Sequence, residues 1–451
     1  MEELSREKIV AVLTEDGEAV RFDSPVQVQI AEAEGRGEYA FIQATVDGEP
    51  YEINIDDVEL ITVQRVVSTS CPLVYSWDGN EFVLDAEPIA GATTRGLERS
   101  DYSELGYLVA DGDVYRLQMK NLLEESQYLD LVELHVVDHP IDRRVVVNNS
   151  GGFHTVSKLV APVDATDQSG KDLRRWFVDK DRVIWAPPPE LDADGNVRRS
   201  IELTFPKPPD ATTAKLVASA GTAPWGAIMV KEMLELRGRD LDSWYWQVDY
   251  VPLFPELVRA WNLREELYVL KVYVKESTGW KRRGILHGAG PFVVEDQLLT
   301  LDISKVVGDE LRLRVEPPSG FWALNWFAVD FSPEIELSVT TVPVGAAKDH
   351  TGASAKSSLL EADGEYHEML RVGDQLALSF PVPERKAGMG RTVFLRTHGY
   401  YRLHLEAEGE PDTESLYQVN NVPDGAARLA VRIFKDSKRV VDPSQLPLGS
   451  K

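Results

Sequence analysis

Apolar and polar residues alternate at every second position through most of this chain, and short turn signals separate the alternating runs. Val26, Val28 and Ile30 share one face of an extended segment, and Tyr51, Ile53 and Ile55 share another. Asp16-Gly17 and Asp47-Gly48 supply residues that tolerate positive φ at tight hairpins. Residues 1-68 therefore read as a small β-barrel-like domain. A second unit opens with Leu73-Val74-Tyr75 and Phe82-Val83-Leu84 around Asp78-Gly79, a strong hairpin pattern. The period of two continues through Tyr115, Leu117 and Met119, then through Tyr128, Val132, Leu134 and Val136. Such faces close a sandwich, and 69-220 is expected to be a β-sandwich domain of Ig-like form.

The period changes at 222–238. Trp225, Ile228, Met229, Met233 and Leu236 fall on one helical stripe, with Pro224 in the first turn and Gly238 placed to end it. A shorter helix is expected at 255–264, carrying Leu257, Val258 and Trp261 inward. Strands return at 267–274, 299–303, 311–315 and 321–331; the last is apolar on both faces and so belongs in the centre of a sheet. Residues 221-340 thus read as a helix plus a β-sandwich or jelly-roll-like region. In 341-451 the pairs Val393 and Leu395, Tyr401 and Leu403, and Leu429 and Val431 alternate, which suggests a C-terminal β region. The Gly-, Ala-, Ser- and Lys-rich stretch at 345–358 reads as a linker or mobile loop. The fold expected is mainly β: a small N-terminal β-barrel-like domain followed by β-sandwich modules, with one or two short helices.

Length agrees with several modules, since 451 residues exceed what one compact core organises. Charge narrows the partners. Against 48 basic residues stand 74 acidic ones, a formal net charge of -26, which repels a phosphate backbone. Nucleic acid and anionic membrane surfaces are therefore excluded as expected partners, and the excess reads as a solvated surface. No segment is long and apolar enough for a transmembrane helix. Cys71 is the only cysteine, so an intramolecular disulfide and a cysteine-rich zinc site are ruled out, and a half-buried packing role is expected for it. The first residues show neither a basic leader nor an apolar core. The expectation is a soluble protein, either cytoplasmic or exported with its leader removed.

One stretch carries a resemblance. It runs from Cys71-Pro72-Leu73-Val74-Tyr75-Ser76-Trp77-Asp78-Gly79 through Asp85-Ala86-Glu87-Pro88 to Arg95-Gly96-Leu97-Glu98-Arg99-Ser100-Asp101-Tyr102. It continues at Glu125-Ser126-Gln127-Tyr128-Leu129-Asp130 and Val136-Val137-Asp138-His139-Pro140. This pattern resembles a hairpin module of uncharacterised bacterial multi-module β proteins, in which a small domain comes first. A late block like Gly320-Phe321-Trp322 and Gly399-Tyr400-Tyr401 comes last. The resemblance implies proteins often predicted to be exported or lipid-anchored, and it brings no activity with it.

The sequence lacks a nucleophile elbow, a phosphate-cradling glycine loop, a dinucleotide fingerprint and a paired-histidine zinc helix. In His367-Glu368-Met369-Leu370-Arg371 an arginine stands where a second zinc-binding histidine belongs. Asp192, Asp194 and Asn196 with Gly195 resemble the opening of a calcium loop, but no closing glutamate follows, and a plain Asp-Gly hairpin outweighs a metal site. Calcium is thus the one cofactor with any support, and no cofactor is the main expectation. Trp244, Trp246, Trp322 and Trp326 form the most unusual cluster: exposed rings can stack on sugars, whereas buried ones fill a core, and the core explanation outweighs the other. His135 and His404 read as cross-strand or solvent-facing residues, and Asp138-His139-Pro140 reads as the end of a strand, because proline cannot continue a central ladder. The first expectation is a non-catalytic structural or interaction protein that meets another protein or a surface assembly. Next comes a carbohydrate-binding β-sandwich protein, and last a hydrolase with a dispersed carboxylate site. No catalytic residue is nominated.

Overall fold

The computed structural model describes residues 9–14, 18–26, 28–33, 37–46, 49–54, 57–63, 72–181, 183–291, 293–405 and 407–437. The protein is mainly β, built from antiparallel sheets that stack as sandwiches.

In the first sandwich one sheet runs in the order Ala346–Asp349, Gln375–Pro381, Val114–Lys120, Leu73–Trp77, Phe82–Ala86. The facing sheet runs Ser338–Pro343, Glu125–Pro140, Met389–Leu403, Arg99–Glu104, and His367–Met369 also pairs with Glu125–Pro140. Their inward side chains, among them Leu117, Met119, Val132, Leu134, Leu378 and Leu395, form one buried cluster, as the period of two requires.

The second sandwich sets a five-stranded sheet, Asp164–Asp167, Ile201–Pro206, Glu310–Val315, Val269–Glu276, Gly279–His287, against a seven-stranded one. At the centre of the latter lies Trp322–Asp330, all nine residues buried, as its two apolar faces demand. The same sheet carries Glu295–Asp302 at one edge and reaches the N-terminal strands Glu18–Val26, Ile9–Thr14 and Val58–Val63 on the other side. Those strands and the sheet Val28–Ala33, Gly37–Val46, Glu49–Asn54 enclose a small core of Val12, Val20 and Ile42. A two-stranded ribbon, Arg144–Val147 with Phe153–Val156, joins the sandwiches. Val145 and Val147 pack with Val137 and Phe394 of the first, whereas Val146 and Val156 pack with Val217 and Leu298 of the second.

Several expectations change. Strand pairing crosses the consecutive segments 69-220, 221-340 and 341-451: Glu125–Pro140 pairs along its length with Met389–Leu403, so the first sandwich is closed by distant parts of the chain. Periodicity identifies strands but carries no information about which distant strand each will meet.

Helical structure is more extensive than expected. It comprises α1 (Arg174–Phe177), α2 (Pro224–Glu235), α3 (Leu241–Tyr250), α4 (Phe254–Glu265), α5 (Thr413–Asn421) and α6 (Gly425–Ser437). The helices expected at 222–238 and 255–264 are α2 and α4. Leu257 points outward, however, at 65% exposure.

Leu429, Val431 and Ile433 lie on α6, not on a strand. Ala426, Ala427 and Ala430 are strong helix formers, and together with Leu429 and Val431 they complete a helical stripe against the second core. The stretch 345–358 is no loose linker, because Ala346–Asp349 pairs with Gln375–Pro381. Asp16, Gly17, Asp47, Gly48, Ile55 and Cys71 lie outside the described residues.

Candidate functional site

Helices α2, α3 and α4 fill the angle between the sandwiches, and local chemistry fixes each of them. Pro224 starts α2, where its missing N–H costs nothing. Gly226 lets that helix lie on the strand behind it, since a Cβ there would stand 2.9 Å from the Phe321 Cα. Asp249 of α3 accepts from the Thr94 hydroxyl at 2.5 Å and the Gly96 N–H at 2.8 Å, and it pairs with Arg402 at 2.7 Å. These bonds tie α3 to the first sandwich. Trp261 of α4 donates from Nε1 to the Val419 carbonyl at 2.9 Å, holding α4 to the second unit and α5.

Between them lies a cleft of about 510 Å³. Ala227, Val230, Met233 and Leu234 of α2 form one wall, Val258, Trp261 and Leu263 of α4 another, and Val269, Ile285 and Tyr401 close it from the strands. Polar groups gather where Arg99, Ser100 and Asp101 approach His287 and Asn149. A second cavity of about 30 Å³ shares Arg99, Asp101, Asn149 and His287 with the cleft and reaches Glu295.

Position is well enforced at this end. Asp101 accepts from Arg99 at 2.7 Å and from the Ile89 N–H at 2.9 Å. Ile89 itself is buried with φ 57, a left-handed conformation that a β-branched residue adopts only under constraint. Gln297 accepts from the His287 N–H at 2.8 Å and donates to its carbonyl, clamping that peptide. The loop after it runs directly against the buried Glu87, because a Cβ on Gly290 would fall inside the Glu87 carboxylate and force it to move.

Burial controls protonation here. It pushes the His287 imidazole down to about 4, assisted by the Arg99 guanidinium and opposed by Asp101. Burial also raises the Glu295 carboxyl to about 8, with the Asp101 charge adding to the rise and the Ser103 hydroxyl, 2.7 Å away, opposing it. At neutral pH the histidine is thus uncharged, Glu295 holds its proton, and Arg99 is compensated by Asp101. The polar end presents hydrogen-bonding groups with little net charge.

The aromatic residues nominated from sequence are not brought together. Trp244 lines the cleft, and Trp246 is 58% exposed on α3. Trp322 is buried and donates to the Glu266 carbonyl at 2.8 Å; Trp326 is buried in the cluster around Val217 and Leu298. Asp192, Asp194 and Asn196 form an exposed turn. The Asp192 carboxylate accepts from the Asp194 N–H at 2.9 Å, the Asn196 N–H at 2.7 Å and the Asn196 amide at 3.0 Å. The turn's own donors thus engage the oxygens that a cation would use.

His139 meets the Thr392 hydroxyl of the neighbouring strand at 3.0 Å, His404, just past the end of its strand, meets Ser126 at 2.8 Å, and His135 meets Glu133 of its own strand at 2.9 Å. Ser100, on the cleft, meets His398 at 3.1 Å, directly opposite it in the sheet. The far nitrogen of His398 is 3.9 Å from Glu98, which instead accepts the Tyr366 hydroxyl at 2.5 Å. This falls short of the linked hydrogen bonds of a catalytic triad.

Arg99, Asp101, His287 and Glu295 were not nominated from sequence. Arg99 and Asp101 sit inside the stretch that carries the resemblance, and His287 stands at a strand end before Gly288-Ala289-Gly290-Pro291, a pattern that marks a constrained turn. Nothing around Glu295 in the sequence sets it apart.

No family model matches the chain, and no curated protein matches it. Among solved structures, a chain from the atomic structure of Sulfolobus Turreted Icosahedral Virus aligns over 84% of this chain and 92% of that one, at 7% identity and a TM-score of 0.14. A likeness of that strength carries no argument about fold or function.

Proposed function

We propose that the protein binds a small, predominantly apolar molecule in the cleft between its sandwiches and does not transform it. The observation that carries this reading is the cleft itself, about 510 Å³ with apolar walls and a few converging polar groups at His287, Arg99 and Asp101. That is the size and character of a small-molecule site, for which about 300–1,000 Å³ is usual. The near-neutral polar end suits a hydroxyl, carbonyl or amide, and the strained Ile89 backbone beside it supports a pre-formed site.

Calorimetric titration of the full chain with 1-decanol tests the reading. Saturable one-to-one binding with a negative heat-capacity change is expected. Val258→Trp, which fills the cleft, is expected to weaken it about tenfold or more. Absence of saturable binding, or equal affinity in a folded Val258→Trp protein, removes the proposal.

Interaction with another protein is a second reading, favoured by one patch. Trp246, Tyr250, Leu253 and Leu257 are all at least 58% exposed on and between α3 and α4. If this patch joins two copies, sedimentation shows a concentration-dependent dimer that Leu257→Asp abolishes; a monomer in both proteins dismisses self-association through it.

A further inference from the structure

Among the described residues that line the cleft, Arg237 is the cation left without an anion. It follows the last turn of α2, donates to the Met233 carbonyl, and holds its guanidinium carbon 4.3 Å from the Trp244 ring centre. Among the described residues no carboxylate lies within ion-pairing distance of it, whereas Arg99 pairs with Asp101 and Arg259 with Glu256. Its surroundings are Met233, Leu234, Val230 and Trp244 on the cleft wall. Burial pushes its guanidinium down to about 10, so it stays charged at neutral pH at a cost that no anion offsets.

A structural role explains part of this placement. A basic side chain at a helix C-terminus bonds terminal carbonyls and meets the negative end of the dipole, and a ring face attracts a cation. Those contacts engage one N–H and one face. A guanidinium has five N–H donors arranged to meet a carboxylate two at a time, and an apolar wall strengthens such a pair by excluding water.

Resting on the reading of the cleft as a small-molecule site, we propose that its ligand is an amphiphilic anion, an aliphatic carboxylate whose head group Arg237 binds while its tail lies along Val230, Val258 and Leu263. The net charge of -26 opposes the approach of such a ligand only at a distance, because salt screens it beyond about 8–10 Å.

The test compares decanoate, 1-decanol and acetate on the full chain at pH 7.5. Decanoate is expected to bind about tenfold or more tightly than decanol, and acetate, lacking the tail, weakly or not at all. In Arg237→Met the preference is expected to fall to about twofold or less while saturable decanol binding is retained, and that retained binding also reports an intact fold. Arg237→Lys is expected to keep part of the preference, since it keeps the charge and loses the fork. Equal binding of decanoate and decanol to the unmutated protein overturns the assignment and leaves the cleft as a site for neutral ligands. A decanoate preference that survives in Arg237→Met overturns it too, by placing the head group elsewhere. If neither alkyl ligand binds, the cleft reading fails and this inference fails with it.

Discussion

The junction between the two sandwiches has two parts that treat buried charge in opposite ways. Along the seam, Asp296 of the second sandwich meets Arg144 of the joining ribbon and Lys180 at 2.9 Å, and Arg144 reaches Glu104 of the first sandwich at 3.1 Å. Burial alone would raise Asp296, but Arg144 and Lys180 overcome it and hold the carboxyl below its ordinary range. Beside the cleft, Glu295, the preceding residue on the same strand, has the Ser103 hydroxyl and the Arg99 charge to lower it, and burial with the Asp101 charge prevails over both. His287 and Arg237 are shifted by burial in the same sense, toward their uncharged forms. One stretch of interface is compensated and locked. The other holds ionisable groups whose compensation is incomplete, an arrangement that suits a ligand better than a hinge of salt bridges.

Breaking the compensated part carries the largest expected effect. Arg144→Met leaves Asp296, whose side chain is only 4% exposed, with Lys180 as the one cation paired with it among the described residues. A loss of about 3 kcal/mol is expected, read as a lower urea midpoint at unchanged slope. A shift below about 0.5 kcal/mol would mean that the seam contributes little, and the contrast would collapse.

The uncompensated side is expected to respond to pH instead. The folded protein holds the Glu295 proton up to about 8, whereas the unfolded chain releases it near the ordinary value of about 4.3. Stability from this group is therefore complete below the unfolded value and declines as pH rises toward 8. The stability of Glu295→Gln relative to the unmutated protein should rise by about 1–3 kcal/mol between pH 5 and pH 8.5. Parallel stability curves would show that Glu295 is ionised throughout.

His287 acts in the other direction. Its folded value lies near 4, below the unfolded value of about 6.5, so its contribution is present above 6.5 and is lost as pH falls toward 4. His287→Gln should lose about 1–2 kcal/mol less than the unmutated protein between pH 6.5 and 4.5. Overlap of the two windows makes the variants, compared at each pH, more informative than the unmutated curve alone. The smallest effect is expected at Trp246→Ala, on the exposed side of α3, within about 0.5 kcal/mol in thermal or urea unfolding.

These contrasts also mark what the sequence reveals. The all-buried strand Trp322–Asp330, the hairpin Leu73–Trp77 with Phe82–Ala86, and α2 were legible, because burial imposes a period on the residues themselves. Helix α6 was not, since Leu429, Val431 and Ile433 satisfy a period of two while Ala426, Ala427 and Ala430 complete the helical stripe. The pairing of Glu125–Pro140 with Met389–Leu403 lies beyond periodicity, which is silent on partners far along the chain. Most of the cleft was hidden for the same reason. Arg99, Arg237 and His287 come from a strand, a helix end and a hairpin that only the fold brings together. Tryptophans attract notice by rarity, yet of the four nominated only Trp244 lines the cleft, because large rings are most often used to fill cores.

A crystal structure of the full chain grown with 1-decanol would test the central claim most directly. The alkyl chain is expected between Val230 and Met233 of α2 and Val258 and Leu263 of α4. An empty cleft at saturating decanol, or decanol seated only on the exposed Trp246 and Leu257 surface, would contradict it.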